Sequence, residues 1–268
     1  MAEVVVCDDS EGDGIEAVVR ASGDSRIAYT RNPGRRGFHG NFAECVRRSR
    51  GELLKFLNDD DRLLPGCVAH LAAAMASDPA ITLATSRRFV IDARGARAAD
   101  LPATTPLAHV NCVASGIDVG DLVLVNSLNL IGEPTTALFR RRDVEDMDAG
   151  LFSWGGVTYH CLADLSLWLR LLARGKAYYC AEPLSEYRVH SGQEQRDHMG
   201  VACITERLDL ARQARGVGFL RTHAQYQAAM TRISMLATAW SSSGRCAPAD
   251  TPTLAELQSR ITAELAVA

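Results

Sequence analysis

The sequence predicts an α/β fold, a sheet flanked by helices and followed by a helical C-terminal region. Three observations carry this expectation. Twice, a short apolar run ends in adjacent aspartates and then gives way to a helical pattern: first at Glu3-Val4-Val5-Val6-Cys7 and again at Leu53-Leu54-Lys55-Phe56-Leu57. Leu165, Trp168, Leu169 and Leu172 form an apolar stripe at helical spacing. Beyond residue 195 the apolar positions also follow helical spacing.

Taken in order, the apolar run to Cys7 reads as a strand followed by Asp8-Asp9-Ser10, and Gly12-Asp13-Gly14 opens a helix carrying Ile15, Val18 and Val19. Arg26 to Tyr29 is a short strand. The Gly-rich, basic stretch from Arg31 to Gly40 is a loop, and Asn41 is placed to cap a helix bearing Phe42, Cys45 and Val46. The strand after Gly51 ends in Asp59-Asp60-Asp61. A helix from Pro65 to Met75 stops at Asp78-Pro79. Ile81–Thr85 and Phe89–Ile91 read as strands, with a turn at Ala93-Arg94-Gly95. Residues 97–117 read as loop with one short helix, and Asp118 is placed to cap a helix through Val125. Gly132-Glu133-Pro134 is a turn before a strand from Thr135 to Phe139. After the Leu165–Leu172 helix come a strand, Lys176–Cys180, and an extended segment in which Arg188 and His190 share a face. The tail holds one helix with Leu208, Ala211 and Ala214, a second with Met230, Ile233, Met235 and Leu236, and a last one from Thr253.

Two acidic strand ends of one parallel sheet would face one cleft, where open α/β sheets bind ligands. Carboxylates as close as Asp59, Asp60 and Asp61 repel one another, and a hard divalent cation with oxygen ligands offsets that. The alternative is a solvated turn in which Asp61 caps the following helix. The basic loop suits a phosphate-bearing ligand, or is simply solvated. Its spacing is not that of a Walker A loop. Asp164, in the first turn of its helix, is either a cap or a carboxylate base kept ionised by the helix dipole. His190 is either a metal ligand beside the Arg188 cation or an ordinary polar contact.

Bulk properties narrow the field. The chain of 268 residues is 47% apolar and has a formal net charge of −3, so it can bury a sizeable core and has no basic field pointing to nucleic acid. Its eight cysteines show no zinc-type spacing, and read as reduced, buried apolar residues of a cytoplasmic protein. No apolar run reaches membrane-spanning length. The tail is available for packing on the main domain, on a second copy, or on a membrane surface, though no basic-aromatic stripe supports the last.

The order Val4–Ser10, Gly51–Asp61, Ala163–Arg170 and Tyr187–His190 resembles the family 2 glycosyltransferases with a GT-A fold, over about residues 3–195. The resemblance implies a nucleotide-sugar-binding mixed sheet, with residues 1–195 as the glycosyltransferase domain and 196–268 as a helical region. It implies that Asp8 and Asp9 contact the nucleotide base, and that Asp59, Asp60 and Asp61 hold the ribose and a Mg²⁺ or Mn²⁺ ion. Asp59 then falls to the nucleotide sugar, and Asp60 and Asp61 to the metal, with Asp60 the main ligand. Asp164 would be the catalytic base, and Arg188 and His190 the closing motif near the diphosphate and metal. Two departures stand out. The family usually begins one strand earlier, so either an apolar strand of about five to seven residues lies upstream of Met1 or the nucleotide pocket lacks a wall. The acidic residue often found just before the base is Ala163 here.

The expected activity is metal-dependent, inverting transfer of a sugar from a nucleotide-diphosphate donor to an acceptor hydroxyl. The alternatives are a non-catalytic nucleotide-sugar-binding or scaffold protein of the same fold, and a nucleotidyltransferase. The last usually carries a Gly-rich loop with Lys or Arg on its first strand, which this chain does not show.

Overall fold

A computed structural model describes residues 3–145, 150–191 and 200–267. Ten strands and nine helices are formed among them. A central mixed sheet has the order β3 (Leu53–Lys55), β7 (Leu138–Arg140), β5 (Ile81–Ile91), β10 (Lys176–Arg188) and β4 (Arg62–Leu63), and β6 (Cys112–Ser115) also pairs with β10. Only β5 and β10 run parallel in it; β3–β7, β5–β7, β4–β10 and β6–β10 are antiparallel. A second, two-stranded parallel sheet joins β1 (Val4–Asp8) to β2 (Ile27–Arg31), pairing Asp8 with Arg31. A small hairpin, β8 (Ser153–Trp154) with β9 (Val157–Thr158), precedes the helix that bears Asp164.

The expectation that the two acidic strand ends belong to one parallel sheet is corrected. β1 and β3 lie in different sheets, because the three-residue β3 spends its pairing on β7, with Leu53 opposite Arg140. The edge of β1 away from β2 and the edge of β3 away from β7 carry no strand partner among the described residues.

The helices are α1 (Gly14–Ser22), α2 (Gly37–Arg48), α3 (Cys67–Ser77), α4 (Gly116–Asn126), α5 (Arg142–Glu145), α6 (Ala163–Leu172), α7 (Val201–Gly216), α8 (His223–Ser241) and α9 (Thr251–Val267). The stripe predicted for α6 is buried in full: Leu165, Trp168, Leu169 and Leu172 are all core residues. Truncating Trp168 would cost about 3–5 kcal/mol. The stripe on α1 forms but stays open, with Val18 71% exposed.

The C-terminal helices share the main core. Leu208, Ala211 and Ala214 of α7, Tyr226, Met230 and Ile233 of α8, and Leu254 and Ile261 of α9 join one cluster with α4, α6 and Phe139. Met235, read as an apolar packing position, is instead exposed. The domain boundary expected at 195/196 lies outside the described residues. A smaller cluster, Cys67, Leu71, Met75 and Ile81 with Cys180, fills the space between α3 and the sheet.

Other elements differ from expectation for local reasons. Ile81–Thr85 and Phe89–Ile91 are one continuous strand, β5, because the intervening Arg88 is buried against Glu133. Thr135 to Ala137 stay outside β7; Thr136 N–H donates to the Glu133 carbonyl at 2.9 Å, which holds a turn there. The cap of α4 is Ser115, whose hydroxyl accepts from Asp118 N–H at 3.5 Å, so Asp118 lies inside the helix. Asn41 lies inside α2 and donates to the Cys7 carbonyl at 3.0 Å. Cys161 and Cys203 form a disulfide, which corrects the reading of eight reduced thiols. The partners are separated by 42 residues, with no spacing signature to reveal them.

Candidate active site

The site is built on loops at the ends of β1, β3 and β10 and on the start of α6. At β1, Asp8 is buried and accepts from Ser10 N–H at 2.8 Å, Ser10 hydroxyl at 2.6 Å and Tyr29 hydroxyl at 2.7 Å, with Arg31 at 3.3 Å. Burial alone would raise its proton affinity, but these donors outweigh it and lower the carboxyl below its usual range. Asp9 accepts from the N–H groups of Arg36 (2.9 Å) and Gly37 (2.8 Å) and from Asn32 Nδ2 (2.9 Å). Its carboxyl is likewise lowered, these donors overriding burial. Asp9 therefore supplies the anion at the N-terminus of α2, where unpaired N–H groups favour one. The basic loop is tied to the end of β1 by this contact.

At β3 the three aspartates have three different environments. Asp59 is exposed. Asp60 Oδ2 lies 3.2 Å from His190 Nε2, so the structure brings together two of the predicted metal ligands. Asp61 is buried; Oδ1 accepts from Arg188 N–H at 2.9 Å, and Oδ2 from Thr135 hydroxyl at 2.7 Å and Asn58 Nδ2 at 3.1 Å. Burial, with Glu133 nearby, pushes its carboxyl up to about 6. Oδ2 holds two donors and Oδ1 one, so Asp61 is tied into the frame of the turn, whereas Asp60 faces His190. Arg188 is also engaged locally: Nε donates to the Asp60 carbonyl at 2.6 Å and Nη1 to the Asp92 carbonyl at 3.0 Å. It fixes the turn that carries Asp60. Among the described residues no three His, Cys, Asp or Glu side chains are gathered as a metal cage.

At α6, Asp164 stands in the first turn of a helix whose cap position, Leu162, offers no side-chain acceptor. Asp164 Oδ1 accepts from Leu165 N–H at 2.7 Å and Oδ2 from Asn129 Nδ2 at 2.8 Å. Burial pushes its carboxyl up to about 7; Glu133 adds to the rise, while the Leu165 N–H, Arg88 and Asn129 oppose it. The approach to α6 is pinned to α7. Glu206 accepts from His160 N–H and Leu162 N–H, each at 2.9 Å, and the disulfide lies beside these contacts.

Sequence reasoning read a turn and the start of a strand in the segment that joins these parts, and gave it no role at the site. Residues 129–135 run from Asp164 to the acidic turn. Asn129 bonds Asp164 at one end and Thr135 bonds Asp61 at the other. Between them Glu133 Oε2 lies 2.8 Å from Arg88 Nε, with both side chains buried. Lys55 Nζ donates to the Thr135 carbonyl, and burial lowers its proton affinity to about 8. Gly132 makes the turn: its φ is +111°, and a Cβ there would lie 2.5 Å from Thr136 Oγ1. Its carbonyl accepts from Trp168 Nε1 at 2.8 Å. Two signals were available: a carboxylate inside the Gly-Glu-Pro turn, and a lysine inside an apolar strand.

Residues 2–147 match the model of glycosyl transferase family 2. The chain belongs to glycosyl transferase family 2. A relative described as the uncharacterized protein MT1568 of Mycobacterium tuberculosis (strain CDC 1551 / Oshkosh) is 31% identical over 195 residues, which is 69% of this chain and 57% of the relative. The chain thus spans little more than half of that relative's length. Among solved structures, S. aureus TarS 1-349 in complex with UDP-GlcNAc is similar with a TM-score of 0.69 at 10% identity, over 98% of this chain and 72% of that one. TarS 1-349 in complex with UDP gives 0.56 at 12% identity, over 98% and 79%. At such identities the likeness establishes the fold, and it is the GT-A-like arrangement expected of the family. No helix among the described residues is long and apolar enough to cross a membrane.

Proposed function

We propose that this family 2 chain transfers a sugar from a nucleotide-diphosphate donor to an acceptor hydroxyl, with inversion, using Asp164 as the base. The observation that carries this reading is the 129–135 segment, which links the Asp164 carboxylate to the Asp60–Asp61 turn through hydrogen bonds at both ends. A transferase of this kind needs a base on one side of the anomeric carbon and a diphosphate-holding group on the other, in fixed relation.

In this reading Asp164 takes the acceptor hydroxyl proton as that oxygen attacks the anomeric carbon. Its raised proton affinity, close to neutral pH, suits a base that must both accept and release a proton. The nucleotide diphosphate leaves from the opposite face, and a single displacement inverts the centre. Asp60 and His190 fit a divalent cation: they offer one carboxylate oxygen and one imidazole nitrogen 3.2 Å apart, and a donor diphosphate would complete the coordination. The ion would be Mg²⁺ or Mn²⁺, both of which take carboxylate and phosphate oxygens. When bound, the cation would neutralise charge developing on the leaving diphosphate. Asp61, Arg188 and Thr135 hold the Asp60 turn. Asp8 and Asp9 fix the 31–37 loop that would wall the nucleotide, and exposed Asp59 would meet its sugar. UDP-GlcNAc, bound in the TarS complex, is the first donor to try.

The test is a thermal-shift panel of nucleotide sugars with and without Mn²⁺, followed by assay of donor hydrolysis and transfer. Ligands that bind the folded state raise the melting temperature. Stabilisation by a nucleotide sugar together with nucleotide-diphosphate release supports transfer. Stabilisation without turnover over any acceptor tried would favour a non-catalytic binding protein, and pyrophosphate release a nucleotidyltransferase.

A further inference from the structure

We propose that Asn129 is a positioning residue for Asp164, holding its carboxylate in the ionised, hydrogen-bonded state that can take a proton from an acceptor hydroxyl. This rests on the reading of Asp164 as the base. Asn129 Nδ2 donates to Asp164 Oδ2 at 2.8 Å, and Leu165 N–H donates to Oδ1 at 2.7 Å. Each carboxylate oxygen therefore holds one donor and keeps a second lone pair for an incoming hydroxyl. The Leu165 donor comes from the helix itself. The Asn129 donor comes from another element, so it ties the carboxylate's orientation to the rest of the cleft.

Asn129 is itself held on three sides. Its Oδ1 accepts from Gly132 N–H at 3.1 Å, its Nδ2 also donates to the Gly132 carbonyl at 3.0 Å, and its own carbonyl accepts from Arg88 Nη2 at 3.2 Å. The bond to Gly132 N–H assigns the amide: Oδ1 must be the acceptor there, so Nδ2 faces Asp164 as donor. Trp168 Nε1, one turn along α6 from the base, donates to the same Gly132 carbonyl. Asn129 is thus fixed against the helix it serves.

The charges facing Asp164 come from three other elements. Glu133 lies in the 129–135 segment, Arg88 on β5 and Arg207 on α7. Glu133 raises the proton affinity of Asp164 and Arg88 lowers it, while burial lowers that of Arg207 and Asp164 partly opposes the fall. Two of these groups, Arg88 and Glu133, already form an ion pair, which reduces their net effect on the base. The Leu165 N–H and the Asn129 amide then both favour the ionised form, because a hydrogen bond to the charged form favours that form, and the Asn129 amide is the donor that a side-chain substitution removes.

The experiment compares wild type with Asn129→Ala and Asn129→Asp. The aspartate variant keeps the acceptor for Gly132 N–H, replaces the donor by a like charge, and serves where the alanine variant does not fold. The first readout is the titration of Asp164 by carboxyl-carbon NMR, with the resonance assigned by its loss in Asp164→Asn. The second is the pH dependence of turnover with a nucleotide-sugar donor. Loss of the donor should move the Asp164 titration, and the acid limb of turnover, upward by about one pH unit, a tenfold fall in ionised base below that limb. Donor affinity should be unchanged, and turnover should recover at higher pH. An Asp164 titration that does not move, or activity reduced equally at every pH, overturns the proposal. The titration is independent of catalysis. If it moves while wild type transfers no sugar, Asn129 keeps its role and the transferase reading falls. If transfer depends on Asp164 but the titration is unmoved, the reverse holds.

Discussion

The Thr135 hydroxyl donates to Asp61 Oδ2 at 2.7 Å, with both residues buried. Together with the Asn58 amide and the Arg188 N–H, this bond builds the third of three adjacent aspartates into the frame, while the second lies beside His190. Thr135→Val should leave a buried carboxylate oxygen short of a donor and cost about 1–3 kcal/mol. Thr135→Ser should keep most of the stability. Urea unfolding of the two variants measures this, and equal stability of the Val and Ser forms would mean that the hydroxyl does not matter.

Asp60 and Asp61 should separate on mutation. Asp60→Asn should weaken Mn²⁺-dependent binding of a nucleotide diphosphate without unfolding the chain, since removing a charged oxygen ligand weakens a hard cation site. Asp61→Asn should chiefly change stability, because its carboxylate meets Thr135, Asn58 and Arg188 N–H. Calorimetry with and without Mn²⁺ decides between them. Unchanged affinity in the Asp60 variant would remove it from the metal site.

The Cys161–Cys203 bridge closes a span of 42 residues between the start of α6 and α7. Replacing both cysteines by serine should cost about 2–4 kcal/mol. Glu206 would still hold His160 N–H and Leu162 N–H, so the α6 start should keep its place and the fold should survive. The measurement is a pair of denaturation curves with mass analysis of the non-reduced protein. Two free thiols at these positions in the native chain would contradict the bridge.

Stability should fall as pH rises through the Asp164 titration. An unfolded aspartate loses its proton near pH 4, while in the folded chain Asp164 holds its proton up to about 7. Between these values the folded state binds the extra proton, so raising the pH favours unfolding. Asp164→Asn removes this ionisation. Its melting temperature relative to wild type should be higher at pH 8 than at pH 5, and a difference that is flat with pH would place the carboxylate in a wetter setting.

Much of the site was legible because it rests on local patterns. The aspartates after apolar strands, the α6 stripe and the Arg188–His190 alternation are all short-range features. The strand pairing was not: β1 and β3 read alike in sequence, and only the pairing of β3 with β7 sets them in different sheets. Asn41 and Asp118 look like caps, but Asp9 and Ser115 fill those roles. For Asp9 the cap comes from 28 residues away, beyond any local rule. Asn129 was hidden for the same reason, since its partner lies 35 residues on. The buried Arg88–Glu133 pair looks in sequence like a charge in a strand and a charge in a turn.

The most direct test of glycosyl transfer through Asp164 is turnover measured beside donor affinity for wild type and Asp164→Asn. General-base help is worth roughly 10²–10⁴-fold in rate, so turnover in the variant should fall by about that factor. Donor affinity should hold, because Asp8, Asp9 and Asp60 are untouched. The fold should hold as well, since the asparagine carbonyl can still accept from Leu165 N–H. Near-wild-type transfer by Asp164→Asn would contradict the assignment, and an equal loss of donor binding and turnover would move Asp164 from the chemistry into the nucleotide site.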